Sequence, residues 1–521
     1  MIGSASFRLA LMFAATGAGA CAPSAVGSLS PSAAQTAPSI SEADLRLRVG
    51  ILAHDSLRGR ETGTPGATAS ARYLADELAR LGFTPAGDQG TFLQRVPLTR
   101  TSHTLSVTSN IAGRSSLMGL DEIVPISGLA GLPEASRSEG QGPVVFAGHL
   151  IDPNLPGGEL RPEQLQGAII LLRISVPPGV DPSTATPRAA LAQLFSPAGT
   201  AAAVILVAEE AEEQLWHYAS EIAHKGELLL GPPEPPEAGA PPFFLITESA
   251  AERLLGAPLA QARQPRTDLG TMQFRVETRN APVEAWNVAG YLPGRDGGLA
   301  GEYVALGAHY DHVGVGAPVD GDSIFNGADD NASGTSVLLE VAEELALAGR
   351  RPARSTLIVW HTAEESGLLG SEYFTDNPTV LRSAITSHIN IDMAGRNSAD
   401  SIFVVGASRL SSDLGTTVEA VNRGLSRPFA LDYSYDVVGH PEMIYCRSDH
   451  YSYARFGIPI VFLTTGLHDD YHAPSDEADK LDYAKLQRVS EYVSRLARGI
   501  ADSTGRPRID KPVPPPDAPC S

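Results

Sequence analysis

The sequence predicts an α/β protein, a mainly parallel mixed sheet covered by helices on both faces, interrupted by a smaller inserted β/α domain. Two observations carry this expectation. Short apolar, partly β-branched runs alternate with amphipathic helical patterns in two separate blocks of the chain, and strands that alternate with helices build parallel sheets buried on both sides. Between the blocks the texture changes: over residues 101–284 Pro and Gly are frequent, helical patterns are short, and apolar runs are separated by loops. A chain of 521 residues has room for two or three domains at about 100–200 residues each.

Taken in order, the first twenty residues hold one cation, Arg8, an apolar run over 9–15, and the small residues Gly17-Ala18-Gly19-Ala20 before Cys21. This predicts a signal peptide over 1–20, too short for a mature membrane span. Small residues directly before a cysteine resemble a bacterial lipoprotein signal, although Ala18 stands where a larger aliphatic residue is usual. Cys21 is therefore a candidate lipid anchor, with ordinary cleavage nearby as the alternative. The expected location is outside the cytoplasm: periplasmic or cell-envelope lipoprotein, or secreted. Residues 21–40, rich in Ser, Ala and Pro, read as a tether.

Residues 41–100 open the larger domain. Ser41 precedes Asp44 and the periodic Leu45, Leu47, Ile51 and Leu52, a capped amphipathic helix; a Gly-rich loop over 58–66, a helix over 67–81 stopped by Gly82 and a strand over 91–98 follow. The inserted domain, 101–284, carries apolar strands at 142–146, 168–172 and 203–207 and a Pro-rich loop at 231–242. The larger domain resumes over 285–504, with strands at 287–292, 303–307, 357–360, 389–393, 402–405 and 459–463 and helices at 332–347, 414–424 and 483–501. The Pro-rich tail 505–521 is expected to be disordered.

A formal net charge of −21 with no dense basic run argues against nucleic acid as a partner, because phosphate binding needs a basic surface. Three cysteines, Cys21, Cys446 and Cys520, are too few for a disulfide scaffold. With Cys21 lipidated, Cys446 and Cys520 are left to pair in an oxidising compartment.

The chemistry gathers where strands end. The run Leu357-Ile358-Val359-Trp360 leads into Glu364-Glu365, and open α/β sheets bind ligands beyond the carboxyl ends of their strands. Adjacent carboxylates there are tolerable if one serves a metal and the other a water; the alternative is a solvated pair opening a helix. Four more loops carry candidates: 308–312 (His309, Asp311, His312), 327–331 (Asp329, Asp330), 390–393 (Asp392) and 471–474 (Tyr471, His472). Any one of them reads equally as a cap or a satisfied core group. Five at the same kind of topological position point to a single site.

At these residues the chain resembles the zinc-dependent exopeptidases that include bacterial secreted leucine aminopeptidases, glutamate carboxypeptidases and transferrin-receptor ectodomains. The resemblance runs from about Leu45 to Val493, and its motifs are 307–312, 326–334, 363–371, 390–395 and 448–476. It implies a peptidase fold with an inserted protease-associated domain and two zinc ions: His309 and Asp392 on one, Glu365 and His472 on the other, Asp330 bridging. Imidazole nitrogen and carboxylate oxygen are zinc's usual ligands apart from thiolate. It further implies Glu364 as general base, Tyr471 as an oxyanion donor, Asp311 as acceptor of the outer ring N–H of His309, and a cis peptide between Asp330 and Asn331. Met393, His312 and His361 are expected to be structural. The implied substrate is a peptide with a free N-terminus, and the only implied membrane contact is the candidate anchor at Cys21. A carboxypeptidase of the same family would need cations for a substrate carboxylate, for which Arg396 and Arg447 are candidates. A non-catalytic ectodomain and a glutaminyl cyclase are further alternatives, but the intact set of ligand positions speaks against both.

Overall fold

The computed structural model describes residues 36–515 apart from 128–131, 133–134, 151–161, 176–200, 234, 236–238, 263 and 348. The expected signal peptide, most of the tether, Cys21 and Cys520 lie outside the described residues. Cys446 is disulfide-bonded, and its partner is therefore also outside them. No helix among the described residues is long and apolar enough to cross a membrane.

The larger domain is built on a nine-stranded sheet. Its strands are β1 (Thr84–Pro85), β2 (Leu93–Arg95), β3 (Trp286–Leu292), β4 (Tyr303–His309), β5 (Ser355–His361), β6 (Ile385–Ile391), β7 (Ser401–Val405), β8 (Ala430–Asp432) and β9 (Ile460–Thr464). They run in the order β1-β3-β5-β4-β6-β9-β7-β8, with β2 also paired to β3. The four central strands β5, β4, β6 and β9 are mutually parallel, while β3 and β7 add antiparallel flanks. The sheet is thus mixed, with a parallel centre that delivers several strand ends to one edge.

Alternation along β5 shows why its sequence reads as a continuous apolar run. Ile358 and Trp360 enter the core beneath helices α1 (Glu42–Leu52), α2 (Pro65–Arg80), α3 (Gly334–Leu347), α4 (Ser412–Arg423) and α5 (Tyr483–Ala501). Leu357 and Val359 enter the core on the opposite face, with Phe374, Tyr453 and Ala454. A strand covered on both sides has no polar face. Ser41 caps α1 by accepting from Asp44 N, and Thr64 caps α2 by accepting from Ala67 N. Both capping hydroxyls satisfy amides that the first turn leaves without partners.

The inserted domain has its own nine-stranded sheet. Its two longest strands, Leu98–Ile111 and Thr271–Val283, are antiparallel neighbours with Leu98 opposite Val283, so the chain enters and leaves the insertion through one paired stem. Parallel strands Glu139–His149, Ile169–Arg173, Ala203–Ala208 and Phe243–Thr247 complete its centre.

The tail differs from the expected disorder through residue 515. It has neither helix nor strand there, yet Arg508 donates to Asp413 at 2.8 and 2.9 Å, Arg506 to Glu302 at 2.9 Å, and Ser412 N to Asp510 at 3.0 Å. Charged side chains, not apolar burial, lay it along the sheet domain.

Arg60 joins the N-terminal helices to the loops at the strand ends. Its buried guanidinium donates to the carbonyls of Tyr310 (2.8 Å), Leu52 (2.6 Å), Asn326 (2.7 Å) and Gly327 (2.9 Å). Burial lowers its pKa to about 10, which leaves it charged at neutral pH. Substitution Arg60→Met would strand four buried acceptors, each costing about 1–3 kcal/mol when left unpaired. A loss of at least about 3 kcal/mol in urea unfolding is expected from that sum; a loss below about 1 kcal/mol would refute the clamp.

Candidate metal centre and active site

Strand ends bring the acids and imidazoles together. His309 is the last residue of β4; Glu364 and Glu365 follow β5; Asp392 follows β6; His472 lies on the loop after β9. Asp330 sits in the π-type turn Ala328–Ser333 that leads into α3, and the Asp330–Asn331 peptide is cis. Gly327 opens that turn at φ +56°, where an added Cβ would stand 2.1 Å from Asp330 O and 2.4 Å from the His312 ring. Only glycine fits, so the Gly-Ala-Asp-Asp order follows from the close approach of two site loops.

The two carboxylate oxygens of Asp330 face different partners. Oδ1 lies 3.3 Å from His309 Nε2, which is also 3.2 Å from Asp392 Oδ1. Oδ2 lies 3.2 Å from His472 Nε2, which is also 2.9 Å from Glu365 Oε2. Donor atoms of His309, Asp330 and Asp392 fall within 4.8 Å of one another, as do those of His312, Asp330, Glu365 and His472; an overlapping group joins His309 to Glu364 and Glu365. These are nitrogen and carboxylate donors, converging in two clusters that share Asp330. That mixture of donors is one that zinc takes.

A surrounding layer fixes these groups. Ser448 Oγ donates to Asp392 Oδ2 at 2.8 Å and accepts from Asn390 Nδ2 at 2.8 Å. Asp476 accepts from the amides of Asp329 (2.9 and 3.1 Å) and Asp330 (3.1 Å). Asp329 turns away from the centre, its Oδ1 accepting from Gly395 N at 2.6 Å and its Oδ2 lying 3.3 Å from His468 Nε2. Asp311 differs from the expectation. Its main-chain carbonyl, not its carboxylate, accepts from His309 Nδ1 at 3.2 Å; the carboxylate stands 4.0 Å off. The reason is competition, because that carboxylate is taken by Glu364 N and Thr62 Oγ1, each at 3.2 Å. Burial, reinforced by the charge on Glu365, pushes Asp311 up to about 7.

His312, expected to be structural, has Nδ1 2.6 Å from Glu365 Oε1 and 3.9 Å from Asp330 Oδ2. It orients Glu365 and belongs by distance to the second cluster. Its place three residues after His309 was the available signal. Ser448 and Asp476 stood inside matching motifs without any residue-level hint of their roles. His361 is structural: Nδ1 is 3.2 Å from Asp449 Oδ2 and Nε2 is 3.1 Å from Tyr453 Oη.

The adjacent glutamates are driven apart. Desolvation raises Glu365, but His472 and His312 outweigh it and hold the carboxyl down to about 2. Glu364 is held well above the carboxylate range, by desolvation first and then by Glu365, Asp392 and Asp449, against the pull of His309.

Two cavities meet here. A small one of about 40 Å³ is lined by Asp330, Glu364, Asp392, Met393, Tyr435, Ile444, Arg447, Phe462, Thr464, Gly466, Leu467 and Tyr471. A cleft of about 490 Å³ runs from Glu364, Glu365 and His472 to the inserted domain at Tyr218, Glu221 and Leu228. Tyr471 lines both, its ring stacked on His472 with centroids 3.9 Å apart. Arg447 also lines both, whereas Arg396 is engaged by Asp470 at 2.5 Å and lines neither.

Removing the Asp476 carboxylate frees the amides that set the position of Asp330. In Asp476→Ala the affinity for divalent cation is expected to fall about 10–100-fold, the usual effect of losing an outer-layer partner. Competition with a chelating dye measures it, and an unchanged affinity would refute the role.

The sequence profile of peptidase family M28 matches residues 287–497. Leucine aminopeptidase 1 of Aspergillus fumigatus is 29% identical over 239 residues, 43% of this chain and 57% of its own length. The chain therefore spans little more than half of that relative. Among solved structures, an aminopeptidase from Aneurinibacillus sp. strain AM-1 aligns over 91% of this chain and 97% of its own, with TM-score 0.56 and 18% identity. A zinc aminopeptidase from Bacillus subtilis aligns over 88% and 95%, with TM-score 0.53 and 18% identity. Likeness at that identity speaks for a shared fold. His309, Asp330, Glu365, Asp392 and His472 all fall inside the matched segment, so residues 287–497 form a peptidase family M28 domain.

Proposed function

We propose that the protein is a dinuclear zinc aminopeptidase that removes the N-terminal residue of peptides. The observation that carries this is Asp330, whose two oxygens each face a separate imidazole–carboxylate pair. The likeness to a named leucine aminopeptidase supports the substrate class.

His309 and Asp392 would hold one ion, His472 and Glu365 the other, with Asp330 between them. Bound zinc would supply an acidified water, polarisation of the peptide carbonyl, and the positive charge that lets Glu364 ionise. The remaining steps belong to the chain's own residues. Glu364 takes a proton at a carboxylate oxygen and returns it to the leaving amine nitrogen; the same surroundings that raise its pKa suit it to holding that proton. Tyr471 Oη, whose proton burial holds tightly, is placed to donate to the carbonyl oxygen as negative charge develops there. The small cavity, walled by Met393, Tyr435, Ile444, Phe462 and Leu467, takes the side chain of the residue released. A disulfide at Cys446 is in keeping with an exported location.

Three measurements test the reading. A panel of free, N-acetylated and C-amidated dipeptides is expected to show cleavage of those with a free amine and resistance of the N-acetylated ones; the reverse pattern would favour a carboxypeptidase. Metal analysis is expected to find two zinc ions per chain, and a single tight site unaltered by His309→Ala would overturn the dinuclear centre. Glu364→Gln should keep both ions yet slow turnover about 10²–10⁴-fold, the range of a lost general acid–base group. Glu365→Gln should lose metal and activity together, since a neutral amide is a poor zinc ligand. Zinc loss in the first variant but not the second would reverse the assigned roles.

A further inference from the structure

We infer that Thr62 is a positioning residue of the active site, its hydroxyl holding the main-chain turn that aims Glu364; this rests on the peptidase reading above. Thr62 precedes the inserted domain and lies outside the matched segment 287–497.

Glu364 stands three residues beyond His361, the last residue of β5, where the ladder of the sheet has ended. Three successive amides there are taken by side chains from three different segments. Thr362 N donates to Asn287 Oδ1 at 3.1 Å, Ala363 N to Thr62 Oγ1 at 3.0 Å, and Glu364 N to Asp311 Oδ1 at 3.2 Å. Thr362 and Ala363 are fully buried, so their amides depend on protein acceptors. Ala363 is also held at φ +54°, a left-handed conformation that a residue with a Cβ disfavours and keeps only where its surroundings enforce it. The direction in which the chain leaves β5, and with it the aim of the Glu364 side chain, is set by these three acceptors.

Thr62 serves two of the three amides. Its O–H donates to Asp311 Oδ2 at 3.2 Å while its oxygen accepts from Ala363 N, and Thr362 Oγ1 lies 3.3 Å away at the remaining lone pair. One hydroxyl thus binds one amide directly and orients the carboxylate that takes the next.

The position of that hydroxyl is fixed from outside the sheet. Thr62 is buried, Gly63 follows it at φ +86°, and Thr64 closes the turn by donating through its N and Oγ1 to Glu61 O at 3.0 and 2.7 Å. Arg100, on the stem of the inserted domain, donates to Thr62 O at 3.1 Å. A threonine held on both sides presents its hydroxyl in one place, as an outer group that fixes a reacting one must. A threonine that only supported the fold would matter equally with or without the Glu364 carboxylate. One that acts through Glu364 matters only while that carboxylate is there to be aimed.

The test measures kcat and KM for Leu-p-nitroanilide, together with zinc content, on the zinc-loaded wild type, Thr62→Val, Thr62→Ala and Thr62→Ser. Removing the hydroxyl in either of the first two variants is expected to lower kcat about 10–100-fold, since a misplacement of about 1 Å can cost about 10²-fold. KM and zinc content should stay close to wild type. Thr62→Ser keeps the hydroxyl and should restore most of kcat. The deciding measurement is Thr62→Val made on top of Glu364→Gln, where kcat is expected to equal that of Glu364→Gln alone. A further loss by the full Thr62→Val factor in that background makes the threonine a support of the fold at large and overturns the inference. So do wild-type kcat in both hydroxyl-free variants, loss of zinc from them, or their failure to fold; each of these leaves the peptidase reading standing. A wild type that does not cleave Leu-p-nitroanilide overturns the peptidase reading and this inference together.

Discussion

Crowded negative charge at the carboxyl edge of a parallel sheet is the constraint on which the rest of this structure depends. Asp311, Asp330 and Asp392 are buried, and the side chain of Glu365 is only 8% exposed. Two like charges 4 Å apart repel by about 4 kcal/mol at an effective dielectric near 20, so these carboxylates persist together only when matched by positive charge. The buried Arg60 supplies part of it, and the imidazoles of His309 and His472 stand against the acids. Asp330 stands between two imidazole–carboxylate pairs, the most crowded point of the site.

Holding that geometry is the task of groups one layer out, and most of them act through main-chain atoms. Asp476 fixes the amides of Asp329 and Asp330, Arg60 gathers four carbonyls from three segments, and the Asp311 carbonyl sets the tautomer of His309. Main-chain partners are suited to this because their positions are set by the sheet and helices, not by flexible side-chain rotors. The same layer makes the two adjacent glutamates unlike. His312 and His472 hold the Glu365 carboxyl down, whereas desolvation and then the neighbouring acids push that of Glu364 up.

The inserted domain lines the cleft, and none of its described residues belongs to the clusters of imidazole and carboxylate donors. Its paired stem fixes its orientation, and Arg100 and Lys225 lock it against Thr62 and Val313. One wall of the cleft is therefore inserted-domain surface and the other is the candidate metal centre.

Much of this was legible in the chain. The double-sided burial of 357–360, the cap at Ser41 and the helix at 483–501 follow from apolar period and capping residues, which are local properties. That these acids and imidazoles come together was legible because His309, Glu365, Asp392 and His472 follow strands of the sheet, and parallel topology gathers such ends. Other features were not. That the carbonyl of Asp311, and not its carboxylate, meets His309, that His312 orients Glu365, that Arg447 reaches the cleft while Arg396 is taken by Asp470, and that the tail is strapped down by Arg506 and Arg508 all depend on residues far apart in sequence. The sequence by itself determined which residue types stand at the strand ends, and hence a candidate metal centre of mixed nitrogen and oxygen donors. Only the tertiary structure decided which atom of each faces the centre, because hydrogen-bond competition among neighbours from different loops is settled by distance, and distance is absent from the order of residues.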